Sequence, residues 1–459
     1  MMRFTITITL LLTSLVLHAQ TIKGKWTGRI ESSLRLNVTI DSSLKVVVPS
    51  ANNLPATIKE YNLEANAISA RLSLDGTTTA DLELVYDASN HTLTGIWTQA
   101  RIERAITLTK VDSFAAPKRI QTPTTPYPYT VSSLSVYQSL EDFWLSGTLT
   151  TPFADPDSLV VILISGSGMQ NRNSELLGHK PFLVLSDYLT RQGISVFRYD
   201  ERGVGESSGA FFNATSEDFL NDVLACVDKL DSLGYRKIGL IGHSEGGLIA
   251  NMACAQDDRL VAMVSLAGVG LPADQLLSIQ NRNILLEQGV AEPEVAEYVA
   301  FIEKAYDLID IESPKDSLYD PLKELCFDFY ESRDSTYQQM YGPSSLGFYM
   351  GIAGGYLTPW LRYFINHDPG EYIPQISCPV LVLNGTMDIQ VSAVENLTSY
   401  EKHLLASQAP FYDVIQLDSI NHLFQKVDSW NTNEYYESTE TFNEEVMQLI
   451  SEWLITSMF

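Results

Sequence analysis

With 459 residues and 45% hydrophobic content, the chain is long enough for two or three domains and has the composition of a folded globular protein. Its formal net charge of −26 sets nucleic acid and anionic membrane surfaces aside as partners, because like charges repel. The acidic residues are dispersed along the chain, which makes them a solubilising exterior and not an interaction tail.

The chain begins Met1-Met2-Arg3, continues with an apolar stretch over residues 4–17, and then reads His18-Ala19-Gln20. A short positive region, an apolar core and a small-residue cleavage site predict a secretory signal over residues 1–20. The apolar core is too short to span a bilayer, so no membrane span is expected. No cysteine lies near the cleavage site to carry a lipid anchor. The mature chain is expected to start near Gln20 or Thr21 and to work outside the cytoplasm, secreted or periplasmic.

Residues 21–115 read as a small all-β domain, a barrel or a sandwich. Apolar residues alternate at Leu34, Leu36, Val38 and Ile40, at Ile68, Ala70, Leu72 and Leu74, and at Leu82, Leu84 and Tyr86. Asp75-Gly76 and Ser89-Asn90 supply turns. Trp26 and Trp97, on the two terminal strands, either plug the core or stack on a sugar, and core packing is the commoner fate of such residues. A stiff linker follows at 116–130, with Pro117, Pro123, Pro126 and Pro128.

From residue 131 to 459 strands alternate with helical patterns. Residues 159–164 and 380–383 are wholly apolar, as central parallel strands are. The order implies an α/β fold, a mostly parallel central sheet with helices on both faces. Between about 271 and 370 the rhythm gives way to helical segments at 275–286, 293–308, 318–330 and 357–365. An insertion there lies over the C-terminal edge of the sheet, where α/β enzymes keep their sites, and reads as a cap. Tyr349, Tyr356, Trp360 and Phe364 in it either line an acyl pocket or pack its helices. The four cysteines, Cys226, Cys254, Cys326 and Cys378, are widely spaced without a C-x-x-C; buried free thiols fit better than disulfides, and no metal site is expected.

The chemistry is concentrated at Gly242-His243-Ser244-Glu245-Gly246-Gly247, between an apolar strand at 237–241 and a helical run. Such a turn throws the central serine into a strained conformation, so the residues two before and two after it must lack bulk. Ser244 is the candidate nucleophile. A serine needs a base, and the base an orienting carboxylate, met in this architecture in the order Ser, acid, His. Asp388 follows the strand at 380–383, and His422 follows the strand at 414–417. His403 falls in a helical stretch, while Asp413 and Asp418 belong to the histidine's own strand and loop. Two N–H donors are needed for the oxyanion. The residue after the nucleophile, Glu245, supplies one. The loop Ser165-Gly166-Ser167-Gly168-Met169 supplies the other, with Ser167 preferred over Gly168 and Met169. The glycines of segment 199–209 do not cradle phosphate, since Asp200, Glu201 and Glu206 would repel it. Scaffolding by Arg202 fits that segment, and a structural role fits His179 somewhat better than substrate contact.

Four segments together, Gly166-Ser167-Gly168, Asp200-x-Arg202-Gly203-x-Gly205-x-Ser207-x-Gly209, the Gly242–Gly247 turn, and Asp388-Ile389-Gln390-Val391 with Asn421-His422, carry a family resemblance. From about 131 to 459 the chain resembles the α/β-hydrolase superfamily, and within it the secreted bacterial carboxylesterases related to serine aminopeptidases and acyl-peptide hydrolases. The β domain resembles the N-terminal extension of some such esterases and is unlike the long propeller of prolyl oligopeptidases. The resemblance implies a Ser-His-Asp serine esterase for small to medium acyl esters, without cofactor or metal. The alternative it leaves open is a serine aminopeptidase holding a free α-amino group on cap carboxylates such as Glu287, Glu292, Glu303 and Asp307. A non-catalytic carbohydrate-binding or adhesion protein on a hydrolase scaffold is the third reading.

Overall fold

The computed structural model describes residues 22–30, 34–41, 43–48, 54–63, 66–73, 79–99, 102–153, 159–333, 351, 353–430 and 434–458. The expected signal segment, Leu74, the Asp75-Gly76 turn and Tyr349 lie outside the described residues.

Two compact units divide the chain. The first holds eight strands: β1 (Gly24–Ile30), β2 (Leu34–Ile40), β3 (Leu44–Val48), β4 (Leu54–Leu63), β5 (Ala67–Ser73), β6 (Thr79–Asp87), β7 (Thr92–Gln99) and β8 (Ile102–Val111). Each pairs antiparallel with the next, and β8 pairs with β1, so the sheet closes into a barrel. Closure leaves no strand edge unpaired. The alternating residues fill its interior: Leu36, Val38, Leu72, Leu82 and Leu108 are fully buried. Trp26 and Trp97 are 0% and 1% exposed, which makes both core residues and leaves no face for a sugar. The indole N–H of Trp26 donates to the Ile22 carbonyl at 2.8 Å, meeting the one polar demand of that side chain. The same unit takes in two distant pieces of sequence, Leu176–Gly178 and residues 434–439. Arg119 gathers them, donating to the carbonyls of Leu177 at 2.7 Å, Tyr436 at 2.9 Å and Ser438 at 2.5 Å.

The second unit is built on an eight-stranded sheet in the order β16-β15-β14-β13-β11-β12-β10-β9. β9 (Tyr129–Gln138) and β10 (Phe143–Pro152) form an antiparallel hairpin at one edge. β11 (Leu159–Ile164), β12 (Ser195–Tyr199), β13 (Lys237–His243), β14 (Leu260–Leu266), β15 (Val380–Gly385) and β16 (Tyr412–Leu417) run parallel. β11 and β15 are buried along their whole length, which fits the unbroken apolar runs at residues 159–164 and 380–383. Helices α1 (Pro181–Arg191), α2 (Ser216–Ser232) and α3 (Glu245–Cys254) follow β11, β12 and β13 in turn. Thr215 caps α2 reciprocally with Asp218, so two backbone N–H groups of its first turn are satisfied by side chains.

Between β14 and β15 the chain forms α4 (Ala273–Glu287), α5 (Glu292–Leu308), α6 (Lys315–Glu331) and α7 (Pro359–Ile365). Phe301, Ile302, Leu322 and Tyr356 belong to an apolar cluster of this segment, separate from the core of the sheet. α7 opens at Pro359, with Thr358 accepting from the Leu361 N–H, because proline has no N–H to lose at a helix start. The chain closes with α8 (Ala393–Leu404), the short α9 (Glu434–Glu437) and α10 (Glu444–Met458). All four cysteines are buried and free. Among the described residues no helix is long and apolar enough to cross a membrane.

Register fixes what comes next. Ile164 lies opposite Gly242, His243 opposite Leu266, Leu266 opposite Leu383, and Gly385 opposite Leu417. Parallel strands in that register release the loops that start at 165, 244, 267, 386 and 418 along one edge of the sheet.

Candidate active site

Ser244 stands where β13 turns into α3, at φ 55° and ψ −121°. A residue with a Cβ is costly in that region, of the order of 1–3 kcal/mol, and persists only where its surroundings hold it. Here they do. The Ser244 N–H donates to the Leu266 carbonyl of the neighbouring strand at 2.9 Å, and the Ser244 carbonyl accepts from the Gly247 N–H at 2.9 Å. The two glycines are a packing requirement. A Cβ on Gly242 would lie 2.1 Å from the Gly246 carbonyl oxygen, and one on Gly246 would lie 2.2 Å from the Ile164 oxygen and 2.5 Å from that of Ser165.

Asp388 sits three residues beyond β15, 2% exposed, and its carboxylate is fully engaged. One oxygen accepts the N–H groups of Gln390 and Val391, both at 2.9 Å. The other accepts the Nδ1–H of His422 at 2.7 Å and the side-chain amide of Asn384 at 3.2 Å. Since a carboxylate only accepts, the proton of the neutral His422 ring is on Nδ1 and its Nε2 is left as an acceptor. The rival groups lie elsewhere. Asp413 accepts from the Trp453 indole, Asp418 from Ser419, and His403 is on α8.

The loop that carries His422 is braced from below. Asn421 accepts the N–H groups of Leu423 and Gln425 at 3.0 Å each and donates to the Gln425 side-chain oxygen at 3.0 Å. The Gln425 amide donates in turn to Nε2 of His179 at 3.2 Å and to the Glu440 carbonyl at 3.0 Å. His179, 0% exposed, donates through Nδ1 to Thr441 at 2.9 Å. His179 is therefore a structural histidine.

Sequence reasoning passed over His243, the last residue of β13 and the one before Ser244. Its ring lies 4.7 Å from that of His422, and its Nε2–H donates to the His422 carbonyl at 2.8 Å. Burial, then the neighbouring His422, push its pKa down to about 3, so it stays neutral and keeps that proton. The segment after β11 closes on the same spot: a Cβ on Gly166 would be 3.0 Å from the Ser244 Cβ and 3.4 Å from His243 Nδ1. Ser167, one residue on, is exposed, and Gly168 adopts φ +94°. Glu245, the first residue of α3, carries one of the N–H groups that a helix leaves without an internal acceptor. Among the described residues no hydrogen bond joins the Ser244 hydroxyl to His422, a link that commonly tightens only once substrate is bound.

The carboxyls near the turn are the second feature that the sequence did not disclose. Glu245 is 3% exposed, and one of its oxygens accepts from Ser216 of α2 at 2.6 Å and from the Trp360 indole of α7 at 2.8 Å. Burial raises its pKa against the pull of those two bonds. Glu201 is lifted further, first by burial and then by the nearby charges of Glu245 and Asp222. The glycine-bearing segment 199–209 is scaffold. Arg202, 1% exposed, donates to Asp222, Glu141 and the Asp218 carbonyl, and Asp200 receives the Arg172 guanidinium. In the inserted helices Glu292 pairs with Arg282, and Glu303 and Asp307 are exposed. Tyr356 and Phe364 are buried, whereas Trp360 is partly buried and stacked on Phe364 at 5.1 Å. Among the described residues no group of three or more His, Cys, Asp or Glu is placed to hold a metal ion.

Acid is expected to weaken the fold around the end of α7. His367, 6% exposed, is stacked 4.9 Å from Tyr372, and burial pushes its pKa down to about 4. The unfolded chain takes up that proton near pH 6.5, so the histidine's contribution is complete above pH 6.5 and is lost as the pH falls towards 4. Between pH 6.5 and 5, His367→Phe should lose about 2 kcal/mol less stability in urea titrations than the unmodified protein, at roughly 1.4 kcal/mol per pH unit for one proton. Equal losses would show that His367 is not held neutral.

The alpha/beta hydrolase fold family matches this sequence over residues 160–425, more than half of the chain. No curated protein matches it. Similar solved structures include the Pyrococcus furiosus esterase Pf2001, 16% identical over 75% of this chain and 100% of that one, with a TM-score of 0.43. Est1E of Butyrivibrio proteoclasticus, bound to ferulic acid, is 17% identical over 71% of this chain and 98% of its own, with a TM-score of 0.41. A proline iminopeptidase of Mycobacterium smegmatis is 17% identical over 71% and 98%, with a TM-score of 0.42.

Proposed function

We propose, for a chain that belongs to the alpha/beta hydrolase fold family, that it is a serine esterase cleaving small to medium carboxylic esters by way of an acyl-enzyme. Ser244 attacks the carbonyl carbon. His422 takes the hydroxyl proton on Nε2 and returns it to the leaving alkoxide, and Asp388 holds the ring in the tautomer that frees Nε2. The N–H groups of Glu245 and Ser167 receive the oxyanion. Water then gives a proton to His422 Nε2 and attacks the acyl carbon, and that proton passes to Ser244 Oγ as the bond to the acyl group breaks and the acid leaves. The observation that carries this reading is that a strained serine and a carboxylate-held histidine stand on loops released along one edge of the same sheet.

Ester is favoured over peptide because an aminopeptidase must neutralise a free α-ammonium group. Of the inserted carboxylates offered for that task, Glu303 and Asp307 are exposed and Glu292 is paired with Arg282. A non-catalytic role leaves the strain at Ser244 without a purpose. In the same proposal residues 1–20 direct export, residues 21–115 are a β domain joined by the linker 116–130, and residues 271–370 cap the site in the catalytic domain, 131–459.

Kinetics on a ladder of p-nitrophenyl esters beside aminoacyl anilides tests the assignment. Ester turnover that peaks at short acyl chains is the expected result. Anilide turnover with feeble ester activity would move the protein to the peptidases.

A further inference from the structure

Glu245 has a side chain as well as an N–H, and that side chain is where three helices meet. Its Oε1 accepts from the hydroxyl of Ser216, at the start of α2, and from the indole N–H of Trp360 in α7, at 2.6 and 2.8 Å. Glu245 itself is the first residue of α3. The indole is fixed from its far side, stacked on the buried Phe364 at 5.1 Å with an interplanar angle of 16°. The backbone beneath has no slack, because Gly246 lies so close to the Ile164 carbonyl that a single added carbon would clash at 2.2 Å. A side chain anchored above and a backbone wedged below leave the Glu245 peptide little freedom to turn.

We propose that the Glu245 carboxyl is a positioning group: by accepting from Trp360 and Ser216 it latches α7 and α2 to the first turn of α3 and so keeps the Glu245 N–H aimed at the oxyanion. The inference rests on the reading of Ser244 as nucleophile. It goes beyond that reading in giving the inserted helices a part in the chemical step and not only in substrate choice. What the latch requires is an acceptor oxygen at that point. Negative charge is not required, and next to a developing oxyanion it would be a hindrance. Burial, which favours the neutral acid here, acts in the same direction.

The discriminating variants change one atom group each. Trp360→Phe keeps a ring to stack on Phe364 and loses only the N–H. It should lower kcat about tenfold with KM nearly unchanged, the size of effect that one buried hydrogen bond to a carboxyl can have. Glu245→Gln retains the acceptor oxygen and should stay within about threefold of the parent, whereas Glu245→Leu should lose about as much as Trp360→Phe or more. In the Glu245→Leu background, Trp360→Phe should cost nothing further. An unchanged kcat in Trp360→Phe, an equal loss in both backgrounds, or a Gln variant as impaired as Leu would each overturn the latch.

A second measurement reads the latch without any turnover. Amide hydrogen exchange in Trp360→Phe should quicken in residues 357–367 and 242–248 and stay at parental rates in β11 and β15. Parental exchange in both segments would overturn the latch even in an active enzyme. Ester turnover that survives in Ser244→Ala would instead overturn the nucleophile, while the exchange experiment still decides the latch.

Discussion

Alanine at position 244 is expected to lower ester turnover by about 10⁴-fold or more while leaving the fold as it is, because the nucleophile of an acyl-enzyme route has no substitute. The fold should survive for a definite reason. Ser244 already places a Cβ at φ 55°, so alanine introduces no new backbone strain, and among the described residues no hydrogen bond from its hydroxyl to His422 is there to be lost. Asp388→Asn should cost less, about 10³- to 10⁴-fold in kcat, through loss of the tautomer that frees Nε2 of His422. Both are read from initial rates on one p-nitrophenyl ester, with melting temperature as the control for folding. A Ser244→Ala protein that melts normally and still turns over would remove Ser244 from the mechanism.

The second large effect concerns stability. Gly246→Ala should cost about 3 kcal/mol or more, near the upper end for overpacking, since the obstruction is backbone and not a pliable side chain. The added carbon would sit 2.2 Å from the Ile164 oxygen and 2.5 Å from the Ser165 oxygen, so either β11 or the first turn of α3 has to move. Urea titration gives the midpoint shift, and kcat should fall with it because the same backbone carries the Glu245 N–H. A variant as stable as the parent would mean that the elbow is looser than these distances imply.

How much of this was legible in the sequence depends on how far apart the interacting residues are. The elbow is local: glycines two before and two after Ser244, between an apolar strand and a helix, announce the turn without any tertiary knowledge. Asp388 and His422 follow from chain order, each in the loop after a strand, and they are hydrogen-bonded to each other. Alternation over residues 34–40 and 82–86 made the first unit β-sheet, but barrel and sandwich share that alternation. Only the pairing of β8 with β1 separates them.

What stayed hidden has no periodic trace. Trp360 and Glu245 are 115 residues apart, and nothing in either neighbourhood marks them as partners. The brace Asn421–Gln425–His179–Thr441 joins residues up to 262 apart through side-chain amides and hydroxyls that look like ordinary loop chemistry in a linear reading. His243 reads as a filler position in its motif, and its ring contact with His422 exists only because β13 and the loop after β16 open on the same edge. The assignment of Leu176–Gly178 and residues 434–439 to the barrel's unit was equally out of reach, since Arg119 recognises bare carbonyls there.

The central claim is that Ser244 becomes covalently acylated. Its most direct test is peptide mass mapping after treatment with a p-nitrophenyl alkylphosphonate, which traps an activated serine. The account predicts one phosphonyl group per chain, on the peptide containing Ser244, in step with loss of ester turnover, and none on Ser244→Ala. Inactivation with the adduct on another residue, or with no adduct at all, would contradict it.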